Sequence, residues 1–206
     1  MARLRNQHCS RLHALLLELE PGGIGSEITV NKANRLLERV LVDDEVTRHR
    51  VLIAGELVDD IAGLDTVLKA SKKRIAAAVS ASATTLTEIV GIGPICAAII
   101  IGFTGDIARF PTRGHFATYN ATAPIEASSG DRPRHRLNPR GNRKLNHAIH
   151  IAAISQLRYE TEGRAYYDRK IAEGKTSKEA VRALKRRISD RVYRHLTADA
   201  RRCSTS

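Results

Sequence analysis

Apolar residues recur at intervals of three and four along most of the chain, which is the spacing of one face of an α-helix. The first such segment covers residues 3–23 and has leucines at positions 4, 12, 15, 16 and 19. Pro21, Gly22 and Gly23 end it, and because no capping residue precedes it, we expect a helix already under way at residue 1. A second, shorter helix is predicted for about residues 30–41.

A long charged segment follows Asp43 and Asp44, two residues suited to cap the N-terminus of a helix. Its apolar residues follow a four-three spacing, as core positions of a coiled coil do: Leu57, Ile61, Leu64, Leu68 and Ile75. This seam favours a helical hairpin or an intermolecular coiled coil, and with the latter a homo-oligomer formed through the helical arm. A single helix packed on its own domain explains the same spacing equally well.

Two glycines interrupt the next apolar segment, "LTEIVGIGPICAAIII" (86–101). Gly91 and Gly93 flank Ile92 in a predicted turn between two helices, and Pro94 suits the first position of the second helix. The pattern is typical of a helix-hairpin-helix, in which backbone amides contact a DNA phosphate without reading the base sequence. Two glycines also serve an ordinary tight turn between helices, and both interpretations stay open.

The remaining pattern completes an all-α fold. Residues 105–124 give a connection, a short helix and a second connection, with Phe110 and Phe116 in the core. Two amphipathic helices follow at about 142–160 and 177–196, each with one apolar stripe and with arginines on its other faces. We predict a helical, coiled-coil arm over residues 1–82 and a compact helical domain over residues 83–200.

The formal net charge of the 206-residue chain is +12, and this charge is unevenly distributed. Residues 1–131 contain 14 basic and 15 acidic side chains, whereas residues 132–206 contain 20 basic and 7 acidic ones. A basic region of this density attracts polyanions, above all nucleic acid. The alternative is a set of solvated basic helices without a specific partner.

The three cysteines, Cys9, Cys96 and Cys203, lie far apart in sequence and form no C-x-x-C pair. They signal neither a disulfide framework nor a zinc site, so we expect a cytoplasmic protein in a reducing environment. The longest apolar runs, such as residues 95–101, are too short to cross a bilayer, and no membrane partner is expected.

One stretch combines a candidate nucleophile with a candidate phosphate-binding strip: "YNATAPIEASSGDRPRHRLNPRGNRKLN" (119–146). Ser128 and Ser129 precede Gly130, and a hydroxyl nucleophile needs exposure and nearby cations that stabilise the phosphate it attacks. The basic strip after them consists of Arg132, Arg134, Arg136, Arg140, Arg143 and Lys144. Ser-Ser-Gly-Asp is also a common turn composition, and on physical grounds alone the turn is the better interpretation.

No metal site is predicted from the sequence. His147 and His150 are three residues apart on a predicted helix, but no third ligand stands at a useful spacing. The adjacent aspartates of the long charged segment are explained by helix caps and surface charge rather than by a two-metal centre.

Three segments occur in one order along the chain: "VGIGPICAAIIIGFTGDIARFPTRGHFATYNATAPIEASSG", "RHRLNPRGNRKLNHAIHIAA" and "GRAYYDRK". Together they resemble the C-terminal part of the insertion-sequence 110/116/902-type transposases. The resemblance covers about residues 86–196 strongly, and the leucine-rich start more loosely. Its most specific parts are the glycine turn, the A-P-x-x-x-S-S-G segment, the basic strip and the helix that follows.

The resemblance implies a mechanism and partners. In that family a serine of this segment attacks a DNA phosphodiester and forms a covalent protein-DNA link, while a structured RNA guides the choice of target and donor. A separate RuvC-like N-terminal domain supplies four acids that hold magnesium. By position Ser129, directly before the glycine, matches the nucleophile, and Ser128 is the close alternative.

The chain departs from the family pattern in its first part. Nothing before residue 86 resembles the acid-bearing RuvC-like domain, and residues 1–20 resemble the helix that links it to the serine-bearing part. We therefore expect a chain that binds DNA and guide RNA, holds no cofactor itself, uses magnesium only with the acid-bearing domain and recombines no DNA alone. The rival hypothesis is a non-catalytic nucleic-acid-binding or interaction module that co-assembles with full-length transposase.

Overall fold

The computed structural model describes residues 1–21, 25, 28–126, 135–136 and 141–204, with the backbone alone for residues 125–126 and 135–136. The α-helices within these ranges are α1 (Ala2–Leu19), α2 (Val30–Leu37), α3 (Glu45–Ala81), α4 (Pro94–Thr104), α5 (Arg113–Tyr119), α6 (Arg143–Leu157), α7 (Glu162–Ala172) and α8 (Ser177–Ser204). Two strands, β1 (Ile125–Glu126) and β2 (His135–Arg136), pair in antiparallel orientation. The all-α prediction is confirmed, with this short ladder as an addition.

Contacts between Cα atoms divide the chain within α3 into a first unit, Met1–Arg74, and a second unit, Ile75–Ser206. The predicted division into residues 1–82 and 83–200 stays a prediction. In both divisions the glycine turn, the serine segment and the basic helices belong to the C-terminal part.

The first unit is built on α1, α2 and most of α3. Its core consists of Leu12, Leu16, Ala33, Leu36, Ala54, Val58 and Ile61. Arg5, near the start of α1, pairs with Asp65, whereas Glu18, near its end, lies 3.0 Å from the Nε atom of Arg50. Helices α1 and α3 are therefore antiparallel, as in a helical hairpin.

Capping explains where the helices of the first unit begin. The hydroxyl of Thr29 accepts a hydrogen bond from the backbone N–H of Lys32, which fixes the start of α2. The carboxylate of Asp44 accepts one from the N–H of Thr47 at 2.6 Å, as predicted for the start of α3. This hydrogen bond also lowers the pKa of Asp44, although partial desolvation opposes the shift.

The predicted seam of α3 is only partly the buried face. Ile61 is buried, but its buried neighbours are Ala54 and Val58 rather than the predicted Leu57 and Leu64, which are half-buried. A straight helix turns every 3.6 residues, so a strict seven-residue seam drifts off the contact line over several turns. The coiled-coil prediction is not confirmed, because the packing described for this face lies within the chain.

The second unit has one core, to which α4, α6 and α8 contribute most. Its largest fully buried side chains include Phe116, Leu86, Ile100, Leu145, Ile149, Leu184 and Val192. Phe110 and Phe116 meet edge to face with ring centroids 5.3 Å apart, which confirms both as core residues. The hydroxyl of Tyr193 donates to the carbonyl of Phe110 at 2.9 Å and joins α8 to this cluster.

Asp199, near the end of α8, fastens that helix to the link after α3. Its carboxylate accepts hydrogen bonds from the Thr84 hydroxyl at 2.8 Å and from the N–H and hydroxyl of Thr85 at 3.0 and 2.7 Å. Burial is the strongest single influence on this carboxyl and raises its pKa, but the hydrogen bonds and the positive charge of Arg202 together outweigh burial and leave the pKa below its ordinary value.

Several element boundaries differ from the prediction. Helix α2 ends at Leu37, four residues early, α8 continues to Ser204, and α7 was not predicted. The segment before the glycine turn is a 3₁₀ helix, Leu86–Glu88, so the two α-helices of a helix-hairpin-helix are not confirmed. In the part of the chain that the structure describes, no helix is both long and apolar enough to cross a membrane.

Candidate nucleic-acid interface

Residues 122–140, which contain Ser128 and Ser129, are called the serine segment. The residues that flank this segment, Ala121 and Gly141, lie together in the second unit. Gly141 packs so closely on Ala121 that a Cβ atom at position 141 would lie 2.5 Å from the Ala121 Cβ. The N–H of Asn142 donates to the carbonyl of Tyr119 at 2.7 Å, and the Asn146 amide donates to the carbonyl of Asn120 at 2.9 Å. The chain thus leaves this place after Ala121 and returns to it at Gly141.

The ladder of β1 and β2 lies between these anchors. Ile125 pairs with Arg136, and Glu126 pairs with His135, so the ladder joins the two sides of residues 127–134. The predicted nucleophiles Ser129 and Ser128 lie outside the described residues, as do Arg132, Arg134 and Arg140. Of Arg136 the structure describes the backbone alone.

A buried polar network supports the first anchor. The Asn120 amide donates to the Ser189 hydroxyl at 2.8 Å, and its carbonyl oxygen accepts from the N–H and hydroxyl of Thr122. Asn120 and Ser189 are fully buried, so their unpaired groups would cost about 1–3 kcal/mol each. These pairings fix Asn120 and Thr122, next to the point at which the chain enters the serine segment.

Helix α6 presents the last two residues of the predicted basic strip. The Asn142 side chain caps the helix by accepting from the N–H groups of Lys144 and Leu145 at 3.0 and 3.1 Å. Arg143 and Lys144 are exposed in the first turn, where the helix dipole is positive. Cations at this end oppose the dipole slightly, but together with it they attract an anion such as a phosphate.

The two glycines that were predicted to contact DNA have different surroundings in the structure. Gly91 has a φ of +87°, and a Cβ atom there would lie 2.6 Å from the Ala152 carbonyl oxygen of α6. Gly93 is exposed at the N-terminus of α4, with no heavy atom within 4 Å of an added Cβ. Gly91 therefore serves the packing of the turn on α6, and Gly93 remains accessible to a ligand.

Sequence reasoning missed a pocket of about 270 Å³ beside Ala121–Pro124. Its other walls are Tyr166 of α7 and one face of α8, and its charged lining residues are Lys175, Glu179, Arg182, Lys185 and Arg186. The one signal for it was Lys185, which stands beside the apolar residues Leu184 and Ile188 of the α8 stripe. We call this the Lys185 pocket.

The two histidines that lie three residues apart on α6 differ in exposure. His147 is exposed, whereas His150 is half-buried, and burial lowers the pKa of His150 below its ordinary value. The positive charges of Lys185 and His147 lower it further. Among residues 1–21, 25, 28–126, 135–136 and 141–204, no group of three or more His, Cys, Asp or Glu side chains is placed to hold a metal ion.

Comparison with known proteins places the glycine turn, the serine segment and α6 in one family domain. Residues 83–168 match the model of the Transposase IS116/IS110/IS902 family. The chain is 31% identical over 178 residues to an IS110 insertion-element protein of 43.6 kDa from Streptomyces coelicolor, which is 79% of this chain and 44% of that protein.

Two further relatives match shorter segments. An IS900 insertion-element protein from Mycobacterium paratuberculosis is 36% identical over 99 residues, which is 47% of this chain and 25% of the relative. An IS116 insertion-element protein from Streptomyces clavuligerus is 29% identical over 104 residues, 50% of this chain and 26% of the relative. The chain matches less than half the length of each relative, and its residues 83–168 match the domain of the IS116/IS110/IS902 family of transposases.

Proposed function

We propose that the second unit is the serine-bearing DNA-joining domain of an insertion-sequence transposase. The observation that carries this proposal is the common anchor of the two ends of the serine segment, Ala121 and Gly141, beside the cationic start of α6. Anchoring both ends of a segment limits the positions that a nucleophile between them can reach, and such a restriction favours a displacement at phosphorus.

In this proposal Ser129 is the nucleophile and Ser128 is the alternative. The Ser129 Oγ atom forms a bond to phosphorus, and one backbone P–O bond of the DNA breaks. The serine hydroxyl loses its proton and the departing deoxyribose oxygen gains one, so atoms and charge balance. The role of Arg132, Arg134, Arg136 and Arg140 is to neutralise the phosphate oxygens, as charge-stabilising groups do in phosphoryl transfer.

The same proposal assigns the other contacts and the cofactor. Arg143, Lys144 and the exposed backbone at Gly93 bind neighbouring phosphates of DNA or of a guide RNA. The magnesium ions that the resemblance implies are held by a separate acid-bearing domain. No step is assigned to a metal held by the described residues, because those residues bring no three metal-ligating side chains together.

Self-association through α3 is a further part of the proposal. Val46, Ile53 and Val67 are exposed apolar residues of α3 at positions that differ by multiples of seven. A seven-residue spacing keeps them on one side of the helix, with a drift of about 20° per heptad that the supercoil of a helix-helix contact takes up. The rival hypothesis, a non-catalytic module that binds nucleic acid and co-assembles with full-length transposase, uses the same stripe. A test of covalent DNA attachment is therefore needed to distinguish the two hypotheses.

A covalent-adduct experiment separates them. The chain is mixed with an acid-bearing RuvC-like domain of the family, the element's RNA, magnesium and end-labelled DNA, and the products are run on a denaturing gel. We expect a protein-DNA band that is absent with Ser129→Ala and retained with Ser128→Ala. A band lost with Ser128→Ala instead moves the nucleophile by one residue. DNA binding without any covalent band supports the non-catalytic module.

A further inference from the structure

The Lys185 pocket contains a buried cation that has no buried counter-ion among the side chains that the structure describes. The Lys185 side chain belongs to a residue that is 7% exposed, and its Nζ atom donates to the Asn146 Oδ1 atom at 2.7 Å. An ammonium group has three donors, and within the described ranges no carboxylate forms an ion pair with this one. Burial accordingly lowers the pKa of Lys185.

A buried charge with a single neutral partner is unfavourable for folding alone. Removing an ammonium from water is costly unless an opposite charge or further hydrogen bonds compensate. A methionine or leucine at this position would avoid that cost and would extend the apolar stripe of α8. The position therefore suits a ligand that brings negative charge to the pocket.

The remaining charges of the pocket also favour an anion. Arg186 lies 3.3 Å from Asp190, and Arg182 lies 4.0 Å from Glu179, so each of these arginines has one acidic neighbour. The Glu179 carboxylate already accepts from the N–H and hydroxyl of Thr176. Lys175 and Lys185 then leave the pocket with an excess of positive charge.

The shape and position of the pocket narrow the class of anion. Its apolar lining of Ala121, Ala123, Pro124 and Ala183 suits a sugar ring better than a second charged group. Pro124 precedes Ser128 by four residues, so the pocket adjoins the entry to the serine segment. A sugar-phosphate unit of a nucleic-acid strand combines the required charge with an apolar flank.

We propose that the Lys185 pocket binds one phosphodiester group of a nucleic-acid strand, with the Lys185 ammonium on a phosphate oxygen and a sugar against the alanine-proline wall. This inference rests on the proposed function, because it assigns a further contact to the same interface. It makes Lys185 a binding residue that holds the strand beside the serine segment.

A pair of variants on α8 tests the contact. Lys185→Met removes the pocket ammonium at nearly constant volume, and Lys178→Met removes an exposed charge of the same helix outside the pocket. Affinity for a fluorescent single strand of about 20 nucleotides is measured by anisotropy at about 100 mM salt. We expect a loss of about tenfold or more for Lys185→Met and less than about threefold for Lys178→Met. Equal losses for the two folded variants overturn the proposal.

A measurement on the unaltered chain covers the case in which Lys185→Met does not fold. The Cε carbon-13 signal of Lys185, assigned by its loss in Lys185→Arg, is followed while the dinucleotide TpT is added. A saturable shift supports the phosphodiester site, and an unchanged signal overturns it. If the unaltered chain binds the longer strand while this signal stays still, the pocket inference fails and the proposed function stands. Absence of any strand binding refutes the proposed function itself.

Discussion

Replacing Gly91 by alanine is expected to destabilise the second unit strongly, whereas the same change at Gly93 is expected to do little. Gly91 adopts a φ of +87°, in the region that residues with a Cβ atom avoid. Its added Cβ would lie 2.6 Å from the Ala152 carbonyl oxygen and 3.0 Å from the Ser155 Cβ atom. Gly93 has a φ of −81° and open space around it.

The magnitude follows from two contributions at Gly91. The left-handed backbone conformation costs an alanine about 1–2 kcal/mol. The overlap with α6 adds about 1–3 kcal/mol, because Ala152 and Ala153 are fully buried and the helix backbone has no room to retreat. The free energy of unfolding should therefore fall by about 2–5 kcal/mol for Gly91→Ala and change by less than about 0.5 kcal/mol for Gly93→Ala.

The aromatic residues of the chain make this measurement selective. The sequence has no tryptophan, and its five tyrosines, at positions 119, 159, 166, 167 and 193, all belong to the second unit. Tyrosine fluorescence during urea denaturation therefore reports the unfolding of that unit, while circular dichroism reports both units. Equal unfolding midpoints for Gly91→Ala and Gly93→Ala would refute the packing of the turn on α6.

Three further outcomes are expected. Asp199→Ala should lower the free energy of unfolding of the second unit by about 1–3 kcal/mol, since it strips the Thr84 and Thr85 donors of their acceptor; unchanged tyrosine-detected unfolding would contradict this. Because the pKa of His150 is lowered in the folded state, the unfolded chain binds a proton at this histidine more readily as pH falls below about 6.5. Acidification should therefore lower the free energy of unfolding of this unit, and it should do so by a smaller amount in His150→Gln. Ile53→Lys should dissociate the proposed oligomer in sedimentation experiments, because Ile53 is an exposed residue of the proposed contact; a strict monomer of the unaltered chain would count against self-association.

The helices could be predicted because their signals are local. Asp44 before α3 and Pro94 at the start of α4 act within one turn, and the apolar period locates the faces that pack. Helix α7 was not predicted because five of the eleven residues of "EGRAYYDRKIA" are charged and its apolar residues show little helical periodicity. Its start depends on Thr161, whose hydroxyl accepts from the Arg164 N–H at 3.1 Å.

The interface was less predictable because it depends on distant residues. The sequence pattern gives Gly91 and Gly93 the same predicted role. The close packing of α6 against Gly91, which Gly93 lacks, distinguishes them in the structure. The Lys185 pocket joins residues 121–124, Tyr166 and residues 175–186, which no local motif connects. The family resemblance, by contrast, could be found from sequence because the glycine turn, the serine segment and the basic strip occur in a fixed order.

Nucleic-acid binding through phosphate contacts is the central claim, and its salt dependence tests it most directly. The dissociation constant of the chain for a labelled DNA duplex is measured between about 50 and 200 mM salt. We expect log affinity to fall linearly with log salt, with a slope that corresponds to about four to eight phosphate contacts. Combined replacement of Arg134 and Arg136 by alanine should reduce this slope by about two. Affinity that stays constant across this range of salt would contradict the claim.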